Sequence, residues 1–250
     1  MPISVIIITK NEAAVIERCL SSVAWADEIV VFDTDSSDGT ADIARRLGAR
    51  VESAPDWPGF GPQKNRALAL ATGDWVLSID ADEWVTPELR AEIEGAIAAP
   101  DWLPAYRMPR LSSYCGRTMR HSGWWPDHVI RLFRRGAARF SDDLVHERLL
   151  VDGVTGSLLE PLRHEAIRDL DDALAKMGSY STAGAKMLHA RGKSSSLAGA
   201  VAHGAWTFVR TYVLRAGFLD GREGFMLAVS NAEGAYYRYL KLMLLSDPRK

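Results

Sequence analysis

The first hundred residues alternate between short apolar runs and segments with apolar residues at helical spacing. The runs of strand length are 4–9, 28–32, 50–53 and 75–79. The first two are rich in β-branched residues, which is typical of strands buried on both faces. Helices are predicted between and after the runs, at about 15–23, 40–47, 62–71 and 87–98, with Pro62 opening the third. Such alternation with short connections predicts an α/β fold with a mostly parallel central sheet.

The regular alternation stops near Pro100, and a different pattern follows. Strands are predicted over 102–109 and 129–133. After residue 168 the spacing becomes helical, in segments 169–191, 197–218 and 225–245. We therefore predict one α/β domain over 1–165, divided into the segments 1–99 and 100–165, and a C-terminal helical extension over 166–250.

Three polar clusters follow three of the predicted strands, at residues 9–12, 33–38 and 80–83. In open α/β sheets, ligands bind outside the carboxyl ends of the strands, so these clusters predict a ligand site. Asp80 and Asp82 sit two positions apart, and side chains at that spacing on a strand point to the same side. A hard divalent cation binding phosphate is commonly held by such carboxylates. The alternative for an isolated Asp-x-Asp is a solvated acidic turn.

Composition narrows the classes of function. The formal net charge of −2, with 47% hydrophobic and 25% charged residues, is ordinary for a globular protein and gives no indication of nucleic-acid binding. No glycine-rich loop follows the first strand, which disfavours a dinucleotide oxidoreductase, a P-loop enzyme and a sugar nucleotidyltransferase. Cys19 and Cys115 lack metal-ligand spacing and favour reduced thiols in a cytoplasmic protein. No signal peptide or membrane-spanning segment is predicted.

Motifs within the clusters resemble a known family. The sequence from Ser4 to Glu12, the pattern Asp33-x-x-Ser-x-Asp-Gly-Thr40 and the pair Asp80-x-Asp82 resemble the family 2 glycosyltransferases of GT-A fold, the nucleotide-diphospho-sugar transferase fold. Later segments resemble one subgroup, the bacterial lipopolysaccharide core β1,4-glucosyltransferases. These segments are 61–65, 79–83, 131–134, 145–147 and 217–221. One departure is Asp35, where a small residue such as glycine is expected.

The resemblance implies an inverting, metal-dependent enzyme that moves a hexose, expected to be glucose, from a UDP-sugar to an inner-core saccharide of lipopolysaccharide. Asp82 would ligate the Mg²⁺ or Mn²⁺ ion that bridges the donor diphosphate. Asp80 would lie near the ribose or a metal-bound water, and Lys64 is either a donor contact or an exposed helix lysine. The residues implied to bind the donor are Thr9, Glu12, Asp33, Lys64 and Asp80.

The segment that follows residue 140 carries the candidates for the catalytic base. An inverting transferase needs a carboxylate to accept the proton of the acceptor hydroxyl. Glu147 is favoured over Asp142 and Asp143 because it belongs to the Val-His-Glu motif of the subgroup, and Asp143 is the reserve. His146 is a candidate metal ligand. In an extended segment His146 and Glu147 would face opposite ways, so both act in one site only if the chain turns.

Aromatic and basic residues are interleaved in the loop before residue 126, which suits an anionic saccharide acceptor. These residues are Tyr114, Arg117, Arg120, His121, Trp124 and Trp125. The alternative is that the tryptophans belong partly to the core and the arginines face solvent.

The predicted C-terminal helices combine apolar, aromatic and basic residues, which suits a helix lying in a membrane interface. A lipid-linked acceptor on the inner face of the bacterial cytoplasmic membrane would make such attachment useful. The alternative is packing against the first domain or within a homo-oligomer. Two other functions stay open: a family 2 transferase for another glycan or a polyprenyl phosphate, and a non-catalytic membrane-associated glycan-binding protein.

Overall fold

The structure, a computed structural model, describes residues 1–141 and 148–246 and divides into two compact units. The first, here the sheet unit, comprises Met1–Arg110 and Asp127–His164. The second, the helical unit, comprises Leu111–Pro126 and Glu165–Lys250. Residues 111–126 thus group with the C-terminal helices, and the predicted functional division at residue 165 stays a prediction.

The predicted alternation forms the parallel half of the sheet. Strands β1 (Ile3–Thr9), β2 (Glu28–Asp33), β3 (Arg50–Ser53) and β4 (Trp75–Ser78) lie in the order β3-β2-β1-β4, with all neighbours parallel. The helices are α1 (Ile16–Ser22), α2 (Thr40–Arg46), α3 (Phe60–Leu70) and α4 (Pro87–Ala98). Side chains from both faces of β1 are buried, which explains its uninterrupted apolar run.

Helix α3 begins earlier than predicted. Its first residue is Phe60 and Pro62 is the third, so the prediction that Pro62 opens the helix is wrong. Proline is tolerated there because backbone N–H groups in the first turn of a helix have no carbonyl partner within the helix. Gln63 and Lys64 lie in the first two turns of the helix, and both side chains are buried.

Antiparallel strands extend the sheet after α4. They are β6 (Ala105–Tyr114), β7 (Arg117–Thr118), β8 (Asp127–Arg134) and β12 (Leu162–Ile167), with the short strand β5 (Glu83–Trp84). The short strand β11 (Thr155–Ser157) pairs parallel with β6, and β9 (Ala138–Phe140) and β10 (Leu149–Val151) form a separate antiparallel pair. The described order continues β4-β8-β6-β12-β5. β6 is predicted over 102–109 but starts and ends later. Because β8 pairs antiparallel with β4, its first half lies beside the carboxyl end of that strand, and this places Arg131 close to Asp80.

The helical unit contains three long helices among its described residues: α5 (Leu170–Ala190), α6 (Leu197–Val209) and α7 (Gly221–Leu245). α6 is shorter than the predicted 197–218 because a π-helical turn, Arg210–Leu214, replaces it, and α7 starts before the predicted residue 225. A Cβ atom at Gly204 would lie 3.2 Å from the Ala232 carbonyl oxygen, so glycine permits the close approach of α6 and α7. No described helix is long and apolar enough to span a membrane.

Candidate functional site

The polar clusters after β1 and β2 are joined by a buried hydrogen bond. Thr9 and Asp33 are register partners at the ends of the two strands, and the Thr9 hydroxyl donates to Asp33 Oδ1 at 2.7 Å. Asp33 also accepts from the Ser36 backbone N–H at 2.8 Å and from the Ser36 hydroxyl at 2.6 Å. The carboxylate is therefore fixed in orientation, because three donors hold its two oxygens.

A polar cavity of about 320 Å³ opens beside Asp33. Its other lining residues include Asp35, Ser36, Gly39, Arg45 and Ser53. Asp35 has a φ of +52°, in the left-handed region that favours glycine. This conformation explains why a glycine is expected at this position, and aspartate is among the few other residues that adopt it readily.

Asp80 lies in an ion-pair network with two cationic side chains. Lys64 Nζ lies 2.9 Å from Asp80 Oδ1, and Arg131 Nη2 lies 2.5 Å from Asp80 Oδ2. The same Arg131 nitrogen is 2.6 Å from Oε1 of Glu83, a fully buried residue whose Oε2 accepts the Asp80 backbone N–H at 2.9 Å. Lys64 is 5% exposed, so the alternative that it is an exposed helix lysine is wrong. Its contact with a donor stays a prediction.

The network fixes the charge of Asp80. Although its desolvation favours the neutral acid, Arg131 and Lys64 hold the pKa of the Asp80 carboxyl well below its usual range. Burial opposes the charge on Arg131, but Asp80 and Glu83 raise the pKa of its guanidinium above the usual value. Asp80 is therefore ionised, with both oxygens already paired to cations. The predicted place of Asp80 near the ribose or a metal-bound water stays a prediction.

Asp82 faces a different partner. Its Oδ2 lies 3.4 Å from Nε2 of His164, and about 29% of the Asp82 side chain is exposed. β5 and β12 bring the two residues together, because Glu83 and His164 are antiparallel register partners. His164 lies far from Asp82 along the chain and in no motif that resembles the family, so sequence analysis missed this neighbour of Asp82.

The donor atoms of this pair fit a divalent cation whose remaining ligands are not protein groups. No group of three or more metal-ligating side chains occurs among residues 1–141 and 148–246. A phosphate-bound Mg²⁺ ion, however, is usually held by one or two carboxylates, with phosphates and water completing its shell. Carboxylate oxygen suits Mg²⁺ and Mn²⁺, and imidazole nitrogen is a common ligand of first-row transition-metal ions. Asp82 and His164 therefore fit the role of protein ligands in such a site.

A second cavity, of about 600 Å³, adjoins Asp80. Four cationic side chains line it, while Asp80 is the only carboxylate in the described portion of the lining; the four are Lys64, Arg110, Arg131 and Arg148. The buried Nε–H of Arg131 has no hydrogen-bond partner in the described portion of the chain. This cavity suits an anionic ligand.

The candidates for the catalytic base lie outside the described residues, as does His146. The chain just before them is held firmly: the Asn65 side chain donates to the Phe140 carbonyl at 2.9 Å and accepts the Phe140 N–H at 3.0 Å. Asp142, Asp143 and Glu147 therefore stay predictions.

The helical unit has its own cavity, of about 400 Å³. Tyr114 and Trp124 from the aromatic and basic loop line it, together with Lys176, Arg210 and Arg238. The lining contains no carboxylate among the described residues. A site that combines aromatic rings with guanidinium groups is suited to an anionic saccharide.

The remaining polar loop residues are engaged elsewhere within the helical unit. Arg120 stacks over Trp125, with 5.7 Å from its Cζ to the ring centroid, and His121 Nδ1 lies 3.2 Å from Asp220 Oδ1. Arg117 lies 4.0 Å from a carboxylate oxygen of Glu223. The loop thus contributes Tyr114 and Trp124 to the cavity.

We expect Arg131→Met to lower the free energy of unfolding by about 3 kcal/mol at pH 7, because it leaves the buried Glu83 carboxylate without its nearest cation. The ionised Asp80 stabilises the fold above its ordinary pKa of about 4, and this contribution is lost as pH falls toward its depressed folded value. The variant should therefore lose less stability on acidification than the wild type does. Urea unfolding at pH 7 and at about pH 3, below the ordinary pKa of the carboxyl, measures both effects.

The control is Arg50→Met, which removes an exposed pair with Glu52 and should change stability by less than about 1 kcal/mol. Equal stability of the Arg131→Met and wild-type proteins at pH 7 would show that the network does not stabilise the fold.

Comparisons with known proteins identify the family of the chain. The model of the family described as Glycosyl transferase family 2 matches residues 4–133. An uncharacterized glycosyltransferase of Rickettsia bellii (strain RML369-C) is 34% identical over 98% of this chain and 87% of its own length. The lipopolysaccharide core biosynthesis glycosyltransferase LpsC of Rhizobium meliloti (strain 1021) is 30% identical, covering 96% of this chain and 90% of LpsC.

Among solved structures, mannosyl-3-phosphoglycerate synthase from Rubrobacter xylanophilus aligns with a TM-score of 0.50 at 19% identity, over 78% of this chain and 76% of that one. This likeness bears on the fold alone, and it agrees with the predicted nucleotide-sugar transferase (GT-A) architecture. The family match and the relatives together support catalytic activity, so the alternative of a non-catalytic glycan-binding protein is not retained. The chain belongs to glycosyltransferase family 2, and it is a glycosyltransferase.

Proposed function

We propose that this enzyme transfers a hexose, with glucose the expected one, from a UDP-sugar to an inner-core saccharide of lipopolysaccharide, with inversion at the anomeric carbon. One observation supports the proposed donor site. Asp82 lies beside His164 in the same unit as Asp33, whose carboxylate is held in a fixed orientation. The acceptor is proposed from the similarity to LpsC, whose name places that relative in lipopolysaccharide core biosynthesis.

On the donor side, the cavity beside Asp33 would hold the nucleoside. Asp33 is ready to accept a hydrogen bond from the uracil ring, because Thr9 and Ser36 already fix its orientation. Glu12, whose backbone N–H donates to Thr40 Oγ1 at 2.8 Å, would line the base and ribose with Thr9. Discrimination between sugar nucleotides rests on hydrogen bonds of this kind.

Asp82 and His164 would hold a Mg²⁺ or Mn²⁺ ion. When bound, the ion would supply Lewis-acid stabilisation of the negative charge on the departing diphosphate. Asp80, Glu83 and Asp127 already pair with Lys64, Arg131 and Arg110, so this cavity would contribute oriented cationic N–H donors rather than a large net positive charge to anionic groups of the substrates.

Glu147 would accept the proton of the acceptor hydroxyl as the hydroxyl oxygen attacks the anomeric carbon. One carbon–oxygen bond forms to the acceptor while the bond from the anomeric carbon to the diphosphate oxygen breaks, and UDP leaves with the electron pair. Asp143 is the alternative base. One carboxylate in this role contributes about 10²- to 10⁴-fold to the rate.

The cavity of the helical unit would bind the anionic part of the acceptor. Trp124 offers a ring face for a sugar, while Tyr114 is buried and packs edge-to-face against it, and Arg210 and Arg238 offer guanidinium groups for phosphate or carboxylate. Neither arginine has an ion-pair partner among the described residues, so both retain donors for a ligand.

The test is a transfer assay with the purified full chain, Mn²⁺, a panel of UDP-hexoses, and either a truncated lipid A-core acceptor or a polyprenyl phosphate. Product formed on the core acceptor supports the proposal, whereas product formed only on polyprenyl phosphate contradicts the acceptor assignment.

We expect Arg238→Gln to raise the KM for the core acceptor about tenfold while leaving the KM for the UDP-sugar unchanged, because it removes one charge-assisted contact. The control is Arg168→Gln, which alters an exposed arginine of the helical unit outside the cavity. An unchanged acceptor KM in Arg238→Gln would remove this cavity from the acceptor site.

A further inference from the structure

We propose that the outward side of α6 and the π-helical turn that follows it binds the surface of an anionic lipid bilayer. Where the enzyme uses a UDP-sugar, as proposed above, that surface would be the inner face of the cytoplasmic membrane. The docking argument itself rests on the residues of the helical unit.

The exposed side of α6 is apolar. The helix contains no Asp, Glu, Lys or Arg from Leu197 to Val209. It buries Ala200 and Gly204, yet Val201 is 53% exposed and Trp206 is 56% exposed. A surface helix of a soluble protein ordinarily turns polar residues to water. We call the following residues the α6 face: Val201, Trp206, Val209, Val213 and Leu214, all of them exposed.

The apolar surface continues beyond the π-helical turn. Phe218 and Leu219, in the short 3₁₀ turn before α7, are each more than half exposed, and Phe225 in the first turns of α7 is nearly so. Large contiguous apolar patches on a protein surface mark interaction sites, whereas scattered exposed apolar residues do not.

Basic residues flank this patch. From residue 191 to residue 222 the chain has five Lys or Arg residues and a single acidic residue, Asp220, although the whole chain carries a formal charge of −2. Asp220 is buried, where it accepts hydrogen bonds from the backbone of Arg120 and His121 and from the Ser122 hydroxyl. The basic residues are Arg191, Lys193, Arg210, Arg215 and Arg222. Arg210 lines the cavity of the helical unit and Arg222 pairs with Glu223, which leaves Arg191, Lys193 and Arg215 to attract anionic lipids.

This combination favours an anionic bilayer over a second copy of the chain. An interfacial helix buries its apolar side at the headgroup boundary, while flanking lysines and arginines attract anionic lipids. In a symmetric dimer built on the α6 face, the same basic side chains would meet one another. Trp206 adds a residue type that is enriched at the membrane–water interface.

The geometry is that of a helix lying on the membrane. The 13 residues of α6 span about 20 Å at 1.5 Å per residue, which is shorter than the apolar thickness of a bilayer. Docking along the helix would confine the enzyme to a surface without any segment crossing it.

The experiment is flotation of the full chain with vesicles of phosphatidylethanolamine and phosphatidylglycerol, compared with vesicles of phosphatidylcholine alone. No sugar nucleotide or acceptor is present, so the result is independent of the proposed reaction. We expect the wild type to float with the anionic vesicles, less at high salt, and far less with phosphatidylcholine. The double variant Val201→Glu/Trp206→Glu should bind the anionic vesicles at least tenfold more weakly.

Val154→Glu is the matched control, because it places the same charge at a 69%-exposed apolar position of the sheet unit, and it should float like the wild type. Circular dichroism and thermal melting establish whether each variant is folded. If the double variant is unfolded, the single variant Val201→Glu takes its place in the flotation experiment. Absence of wild-type binding, or equal binding by a folded α6 variant, would overturn the proposal. The proposal would also be overturned if the wild type were a dimer that fails to bind vesicles and light scattering showed the α6 variant to be a monomer.

Discussion

An Asp82→Asn protein is expected to bind UDP equally weakly with and without Mn²⁺ and to lose at least about 10³-fold in transfer rate. The amide keeps the size of the side chain but removes its negative charge, and Asp82 is partly exposed, so the fold should be retained. A bound cation is worth several kcal/mol of charge stabilisation, and each 1.36 kcal/mol corresponds to a tenfold change in rate.

The measurement combines UDP titration, with Mn²⁺ and with EDTA, and a transfer assay. Asp101→Asn, which alters an exposed aspartate of the sheet unit outside the site, is the control and should behave as the wild type. If the Asp82→Asn protein bound UDP with wild-type affinity in the presence of Mn²⁺, the assignment of Asp82 as a metal ligand would be wrong.

Glu147→Gln is expected to separate binding from chemistry. An amide cannot accept the proton of the acceptor hydroxyl, so transfer should fall by about 10²- to 10⁴-fold while UDP and Mn²⁺ still bind with wild-type affinity. In the wild type, the fall in kcat/KM at acid pH should report protonation of this base, and that limb should be absent from the residual activity of the variant. Steady-state kinetics across a range of pH measures the loss of transfer, and calorimetry of UDP binding shows whether the donor site is intact.

Glu160→Gln is the control, because Glu160 is an exposed glutamate of the sheet unit outside the site. Transfer at the wild-type rate by Glu147→Gln would place the base elsewhere, and Asp143→Asn would be measured next.

The parallel half of the fold is readable from the sequence because its signals are local. Continuous β-branched runs give β1 and β2, and the polar residues that end them mark the edge where Thr9 and Asp33 meet. The positive φ of Asp35 also agrees with the sequence analysis, because the glycine expected at this position is the residue that adopts a positive φ most readily. These features depend on neighbours along the chain and need no knowledge of the tertiary structure.

The partners of the acidic motif could not be predicted, because they come from distant strands. Arg131 reaches Asp80 and Glu83 only because β8 pairs antiparallel with β4, about fifty residues away along the chain. Local pattern makes Glu83 a solvated acidic residue, whereas the structure buries it completely. His164 reaches Asp82 through the pairing of β12 with β5. The spacing of residues along the chain does not predict this pairing.

In the helical unit, composition indicated an interfacial helix but not which one. The predicted segment 225–245 combines aromatic and basic residues, yet Lys241 Nζ donates to the Gly178 carbonyl and to the hydroxyls of Ser181 and Thr182 on α5. Leu227 and Leu242 are buried. Large exposed apolar side chains occur on all three helices, but they are closest together along α6 and the turns that follow it, from Leu197 to Leu219.

The most direct test of the donor site is calorimetric titration of UDP into the wild-type protein, first with Mn²⁺ and then with EDTA. The account predicts binding with Mn²⁺ that EDTA weakens strongly, because the ion held by Asp82 and His164 would join the protein to the diphosphate. UDP binding that is identical in both conditions, or absent from both, would contradict it.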